Sequence, residues 1–243
     1  MCAAPQFPYY IGSCGALQDA GVLREETRVA GASAGSLIAA CVKAGMPLDD
    51  ITAQCLRLMD DCRRNGSRGR LGPVLEDFLR GHLPSDAHTR CQGRAFVAVT
   101  RALPYIRPKL VSQFADREDL IRALMTSCHI PYWLDGRAFT DFRGELHLDG
   151  GVTNFIPVAP GTVGVRVCAF PASQLSPVYR IGIAPDMFEP WPHTLRQMVQ
   201  WALEPADEDV VLSLIDKGAA AGEREGMRAP TTTACANRTA SVR

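Results

Sequence analysis

Apolar side chains along the chain follow two different spacings, one typical of strands and one typical of helices. Alternation with period two is clearest where Val163, Val165, Val167 and Ala169 predict a strand over residues 162–170. The other predicted strands cover residues 28–32, 94–100, 109–114, 137–141, 145–148 and 180–184. Apolar residues three and four positions apart predict helices over residues 11–23, 36–44, 48–59, 74–79, 116–129, 195–203 and 210–221. The pattern contains no internal repeat, so we expect one α/β domain.

Two stretches interrupt these periodic segments. Residues 60–72 are rich in arginine and glycine and are interpreted as a solvated, mobile loop, with a basic surface for phosphate headgroups as the alternative. Residues 231–243 are small, polar and aperiodic, which is typical of a disordered end. We therefore expect one domain, large enough to be catalytic, over residues 7–222 and a flexible tail over residues 223–243.

Composition narrows the classes of partner and compartment. The chain has 243 residues, 47% of them hydrophobic and 21% charged, and its formal net charge is zero. A neutral chain has no overall field that would attract nucleic acid, so no nucleic-acid partner is expected. The first residues do not form a secretory signal and no apolar run is long enough to span a bilayer. These features predict an intracellular protein, soluble or peripheral at a membrane.

The cysteines do not indicate a disulfide framework or a metal site. There are nine of them, without a C-x-x-C pair. Cys41 and Cys168 lie in apolar runs and are interpreted as small buried hydrophobic residues. A reducing compartment and no metal site are therefore expected.

A candidate nucleophile lies near the start of the chain. Gly31, Ser33 and Gly35 form a G-x-S-x-G pentapeptide between a predicted strand and a predicted helix. A nucleophile elbow needs this setting, because the tight turn exposes the serine hydroxyl above the sheet. The glycines leave room for strand and helix to pass, and the first helical N–H groups, beginning with that of Ala34, face the place where an oxyanion would form. An ordinary small-residue turn is the alternative.

A serine hydroxyl needs a base, and two residues are candidates for it. Asp149 ends an apolar strand and is followed by Gly150 and Gly151, which permit close approach of another backbone segment; a common Asp-Gly turn is the alternative. His193 would instead complete the order Ser33, Asp149, His193 of an α/β-hydrolase, although almost no strand precedes the elbow. The remaining histidines lack a second ligand at metal spacing and are interpreted as surface or core residues: His82, His88, His129 and His147.

The ordered pair of motifs resembles the patatin-like phospholipases. Residues 31–35 match the elbow of that family, and residues 149–151 match its D-G-[GA] motif. Residues 7–12 look like the start of its first helix, while residues 149–158 and 189–191 look like plant and algal members. The resemblance covers residues 7–220 or so.

The resemblance implies a fold, a reaction and a substrate class. The fold is α/β, with three layers and a central, mostly parallel sheet flanked by helices. The reaction is hydrolysis of acyl esters in glycerolipids, in which Ser33 attacks the carbonyl and Asp149 acts as the base, through an acyl-enzyme and without a metal or organic cofactor. The implied partners are a glycerolipid and, transiently, a membrane or lipid-droplet surface. The headgroup, the acyl chain, the organelle and the oligomeric state stay open.

One part of the family pattern is missing from the sequence. The family carries a glycine-rich oxyanion loop just before the first helix, where this chain has residues 1–6, and Gly12 and Gly15 fall inside the predicted helix. We therefore expect an N-terminally truncated domain. Since losing one oxyanion donor costs on the order of 3 kcal/mol, a catalytically weak or inactive lipid-binding remnant is the second hypothesis.

Overall fold

The computed structural model describes residues 6–175, 180–187 and 191–227. The helices are α1 (Gln6–Asp19), α2 (Ala34–Lys43), α3 (Leu48–Asn65), α4 (Leu71–His82), α5 (Ala87–Cys91), α6 (Arg117–Ser127), α7 (Leu195–Leu203) and α8 (Glu208–Gly226). The strands are β1 (Val29–Ala32), β2 (Ala95–Arg101), β3 (Arg107–Val111), β4 (Thr140–Phe142) and β5 (Glu145–Asp149). An α/β fold with a central sheet flanked by helices is thereby confirmed.

Strand β2 is the centre of the sheet. It pairs in parallel with β1 and antiparallel with both β3 and β5, and β4 pairs antiparallel with β5. The elbow strand therefore has the parallel pairing expected of the fold. Two of the three antiparallel pairs follow from short connections: β2 and β3 are joined by residues 102–106, and β4 and β5 are joined by the turn Arg143-Gly144, which can only reverse the chain. A connection of that length excludes the crossover that a parallel pair requires.

Strands β1 and β5 lie along the same edge of β2. The N–H of Val29 donates to the carbonyl of Arg94, and the N–H of Ala102 donates to the carbonyl of Leu146, both over 2.8 Å. Residues 94 and 102 are an even number of positions apart, so their backbone groups point to the same edge of an extended strand. One edge of β2 thus holds β1 along its first half and β5 along its second half.

Helices α2 and α6 pack against the central strand β2, and their buried side chains belong to the main hydrophobic core. Residues 95–100 of β2 are all buried, which places packed structure on both faces of the strand. Asp116 caps the start of helix α6, because its carboxylate accepts from the N–H of Asp119 over 2.7 Å. Cys41 and Cys168 are buried free thiols, as expected of small core residues, and burial raises the pKa of Cys41 to about 12.

Helices α1 and α8 pack with their backbones in close contact. A Cβ at Gly12 would lie 1.9 Å from the carbonyl oxygen of Ile215, and a Cβ at Gly218 would lie 2.1 Å from that of Tyr9. The Ser13 hydroxyl bridges the helices by donating toward the carbonyls of Tyr9 and Gly218. Only glycine permits this approach, which holds α1 against α8.

The second half of the chain has less strand than its pattern predicts. In place of strands over 162–170 and 180–184, the structure has one parallel bridge between Val167 and Ile183. Alternating valines alone do not make a strand, because a ladder needs a partner of matching length. Among the described residues, the segment 162–170 forms a β-bridge only at Val167. The strand predictions for 162–170 and 180–184 are therefore wrong in extent.

Several helices extend beyond their predicted ends. Helix α3 continues to Asn65 and α4 begins at Leu71, so the connection between them is shorter than residues 60–72. Helix α8 continues to Gly226, past residue 222, where the domain was expected to end. Residues 228–243, which hold most of the expected tail, lie outside the described residues.

Candidate active site

The elbow places Ser33 in a strained turn between β1 and α2. Its φ of 54° and ψ of −123° are unusual for a residue with a side chain, and it caps the first turn of α2. A Cβ at Gly31 would lie 2.0 Å from the carbonyl oxygen of Gly35, so the turn requires glycine there. At Gly35 the nearest atom would be Cε2 of Tyr10 at 3.8 Å, an ordinary contact. Of the two glycines expected to give clearance, only Gly31 is sterically obligatory.

The first N–H groups of α2 face the serine. The helix begins at Ala34, and the first N–H groups of an α-helix have no partner within the helix. The N–H of Ser33 itself is already bound, because it donates to the Ser127 hydroxyl over 2.9 Å. The N–H groups of Ala34 and Gly35 are therefore the ones at this helix end that can meet a developing negative charge.

Several hydrogen bonds hold Asp149 at the end of β5. Its N–H donates to the carbonyl of His129 over 2.9 Å, and its carbonyl accepts from the Thr100 hydroxyl over 2.8 Å. One carboxylate oxygen, Oδ1, accepts from the N–H of Gly151 over 2.7 Å. A Cβ at Gly150 would lie 2.0 Å from the carbonyl oxygen of Ala98, so the D-G-G turn fits against β2 only with glycine there. These contacts involve the backbone and Oδ1 of Asp149, so the other carboxylate oxygen, Oδ2, is not used by them.

The fold brings Ser33 and Asp149 together from distant parts of the sequence. In the sheet Ala32 is opposite Ala98 and Asp149 is opposite Val99, on the same edge of β2. The carboxyl ends of β1 and β5 therefore meet at successive positions of β2. Neither the Ser33 Oγ nor the Asp149 Oδ2 has a hydrogen-bond partner among the described residues, although both atoms are buried.

Burial raises the pKa of Asp149 above the ordinary aspartate range. The nearby Ser33 hydroxyl and the hydrogen bond from the Gly151 N–H favour the ionised carboxylate and so oppose this rise in pKa. Hydrogen bonds between catalytic groups are often long or poorly aligned without substrate. A carboxyl with a raised pKa and a free oxygen beside an alcohol is equipped to accept its proton.

Ser127 is a site residue that the sequence pattern did not reveal. Its side chain is fully buried, accepts from the N–H of Ser33 and donates to the carbonyl of Ala98 over 2.6 Å. It thereby ties the strained elbow to β2 at the point where β1 ends. In sequence it is one small polar residue at the end of an apolar helix, and no local signal distinguishes it.

The histidine alternatives have other surroundings. The His193 ring packs edge-on against Trp191 and Trp201, with centroids 5.1 and 4.7 Å away. His129 is buried and touches the site through its backbone carbonyl, while its Nδ1 lies 4.0 Å from a carboxylate oxygen of Asp135. Burial lowers the pKa of His147, whose Nδ1 faces a backbone carbonyl. Within the described part of the chain, no cluster of three or more His, Cys, Asp or Glu residues could hold a metal ion.

A cavity of about 410 Å³ lies beside the elbow. Gly31, Ala32 and Gly35 form one wall of this cavity. Apolar side chains, among them Leu17 and Ile38, form much of the remaining wall. Further lining residues come from the segments 155–159 and 162–167. A long apolar group bound there would lie against the backbone of the elbow.

A comparison with known protein families decides where this site belongs. The family model described as Patatin, patatin-like phospholipase, matches residues 4–161, which is more than half of the chain. The chain belongs to the patatin-like phospholipase family. Both motif segments, residues 31–35 and 149–151, lie inside the matched range, so the family assignment rests on the part of the chain that forms the elbow and the D-G-G turn.

Curated relatives of this patatin-like chain include lipases and acyltransferases by name. It is 32% identical over 187 residues to human patatin-like phospholipase domain-containing protein 4, covering 73% of this chain and 70% of the relative. It is 32% identical to human omega-hydroxyceramide transacylase and 31% identical to mouse 1-acylglycerol-3-phosphate O-acyltransferase Pnpla3, covering 68% and 67% of this chain. The chain spans only 32% and 40% of the lengths of those two relatives.

The patatin-like domain has no membrane-crossing helix in its described part. None of the helices within residues 6–175, 180–187 and 191–227 combines the length and the apolar character that a bilayer crossing requires. The resemblance to plant and algal members stays a prediction.

Proposed function

We propose that this patatin-like protein is a lipid acyl hydrolase that uses Ser33 as nucleophile and Asp149 as general base. The observation that supports the proposal most strongly is the meeting of the carboxyl ends of β1 and β5 at successive positions of β2. Next to this meeting point the Ser33 Oγ and the Asp149 Oδ2 are both buried and have no hydrogen-bond partner among the described residues. The cavity contacts the elbow at Gly31, Ala32 and Gly35, although neither Ser33 nor Asp149 lines it, and its apolar walls suit the hydrocarbon part of a glycerolipid.

The proposed reaction proceeds in two halves. In the first, the Ser33 hydroxyl passes its proton to Asp149 while Oγ attacks the ester carbonyl, and the N–H of Ala34 stabilises the resulting oxyanion. Asp149 then protonates the departing alcohol, which leaves an acyl group on Ser33. In the second half Asp149 takes a proton from water, the hydroxide attacks the acyl-enzyme, and the fatty acid leaves as the proton returns to Ser33.

The test compares ester hydrolysis by wild type, Ser33→Ala and Asp149→Asn, with thermal unfolding as a control for folding. We expect both variants to lose at least about a hundredfold in rate, because each removes one half of the nucleophile–base pair. Equal hydrolysis by all three proteins would reject the dyad.

A catalytically weak lipid-binding protein is the second candidate. It is favoured by the position of Gly12 and Gly15 inside α1, where they cannot form an oxyanion loop. The oxyanion donors provided by the described elbow are then those at the start of α2. Labelling by a fluorophosphonate probe separates the two candidates, since robust labelling that Ser33→Ala abolishes would count against the weak protein.

A further inference from the structure

The connection between β2 and β3 carries an unusual group of exposed apolar side chains. Leu103 is 53% exposed, Tyr105 67% and Ile106 63%. These three side chains, here called the apolar tip, lie within five consecutive residues, 102–106, that join the two strands. Single exposed apolar residues are common, but a contiguous group marks an interaction surface.

Basic residues surround the apolar tip. Arg101 lies 3.1 Å from a carboxylate oxygen of Glu145, and Lys109 contacts the other oxygen of the same carboxylate. The guanidinium of Arg107 lies 6.0 Å from the centroid of the Tyr105 ring and has no carboxylate within 4 Å among the described residues. The three cations are thus opposed by the single carboxylate of Glu145, which contacts two of them, and the cluster has two excess positive charges.

The tip lies on the site side of the sheet edge. Asp149 is opposite Val99, and Leu103 follows four residues further along the chain, a distance of about 13 Å for extended backbone. The N–H of Ala102 donates to the carbonyl of Leu146 on β5, so the base of the tip is joined to the strand that carries Asp149. A surface contacted by the tip would therefore lie near the Ser33–Asp149 pair.

We propose that the apolar tip inserts into an anionic lipid surface, with Arg101, Arg107 and Lys109 at the level of the headgroups. Three side chains cannot supply the roughly 800 Å² per partner of a stable protein interface, but they suffice to enter a bilayer interface, where tyrosine and aliphatic groups are favoured. Anionic headgroups complement the excess positive charge, at about 1 kcal/mol for each basic residue. The inference deepens the proposed function, because it rests on a lipid substrate and assigns the surface that meets it.

Vesicle binding by the full chain tests the proposal. The probes are vesicles of phosphatidylcholine with and without phosphatidylserine, and Ser33→Ala is used throughout so that the lipid stays intact. We expect Leu103→Ser/Ile106→Ser to lower partitioning at least about a hundredfold, since each of the two inserted aliphatic side chains is worth at least about 1.5 kcal/mol. We expect Arg107→Gln to lower binding about fivefold on phosphatidylserine vesicles and not on phosphatidylcholine alone.

A matched control replaces two exposed apolar residues that lie outside the apolar tip. Val199 and Leu212 are exposed apolar residues on α7 and α8, so Val199→Ser/Leu212→Ser should keep wild-type binding. The proposal is overturned if wild type does not bind vesicles, or if the tip variant binds as well as the control. It is equally overturned if sedimentation shows a self-association that the tip variant abolishes, because the tip would then be an interface between copies.

Hydrolysis of a short-chain ester in solution, measured with the Ser33 protein, separates this inference from the proposed function. We expect the tip variant to keep that hydrolysis while it loses vesicle binding. Should wild type fail to hydrolyse any ester but bind vesicles through the tip, the hydrolase proposal fails and the docking surface stands.

Discussion

Replacing Gly31 by alanine should disable the elbow, whereas the same change at Gly35 should not. The methyl group of Gly31→Ala would lie 2.0 Å from the carbonyl oxygen of Gly35 and 2.4 Å from the backbone nitrogen of Ser36. Both obstacles are backbone atoms, so no side chain can rotate away. The methyl group of Gly35→Ala would meet only the Tyr10 ring, at 3.8 Å.

The size of the effect follows from these distances. Non-bonded contacts to carbon are optimal at about 3.5–4.0 Å, so Gly31→Ala must separate β1 from α2 by more than about 1 Å. A displacement of about 1 Å in a catalytic group costs on the order of a hundredfold in rate. Overpacking costs about 1–3 kcal/mol, which lowers Tm by at least about 2 °C for a domain of this size. Alanine at helical position 35 gains up to about 1 kcal/mol instead.

Three measurements on wild type and the two variants test this prediction: hydrolysis of a soluble ester, the rate of fluorophosphonate labelling at Ser33, and thermal unfolding. We expect Gly31→Ala to lose labelling and stability together, and Gly35→Ala to retain stability and labelling. If Gly31→Ala unfolds and labels like wild type, the close approach of β1 and α2 is refuted. If Gly35→Ala is equally damaging, clearance is not what distinguishes the two glycines.

Burial of Asp149 raises its pKa, so the acid limb of kcat/KM should lie above the value of about 4 for an ordinary aspartate; a limb at or below it in a pH–rate profile contradicts this. A raised carboxyl pKa also means that stability is lost as the pH rises from the unfolded to the folded pKa. We therefore expect Asp149→Asn to have a higher Tm than wild type at about pH 8, and the difference to vanish near pH 4. Ser127→Ala should lower kcat about tenfold with little change in KM, because it releases the N–H of Ser33, and Ser127→Thr should restore the rate; an unchanged kcat would make Ser127 a purely structural residue. His193→Ala should keep ester hydrolysis, since the ring packs on tryptophans, and abolished turnover in a folded variant would revive the histidine hypothesis.

Local patterns predicted the elements that carry the site. The strand, turn and helix around Ser33 could be predicted because the short strand, the glycine turn and the small-residue helix each depend on residues close together in the sequence. The D-G-G turn was readable for the same reason: Gly150 is needed within one residue of Asp149. Their assignment as a catalytic pair nevertheless came from a resemblance and stays a proposal.

Features set by distant segments were not predictable from the pattern. That β1 and β5 share one edge of β2 depends on two pairings, each between strands about 50 to 70 residues apart in the chain. Ser127 acquires its importance only because α6 ends beside Ala98. Conversely, the valines of 162–170 satisfy a strand pattern, yet the fold provides them one bridge at Val167 and no ladder. Local sequence encodes preferences, and the tertiary partners decide among them.

If Ser33 and Asp149 form the proposed dyad, the meeting of β1 and β5 means that the protein becomes active only late in its synthesis. The alcohol is made early, but its base follows more than a hundred residues later, at Asp149. Side chains alternate along a strand, so sliding β5 by one position would present Leu148 in place of the carboxyl group. Under this proposal, a chain that has not yet reached Asp149 carries a serine without its base, and acyl cleavage begins only after β5 has docked in its correct alignment. The growing protein is thereby prevented from attacking lipid around it.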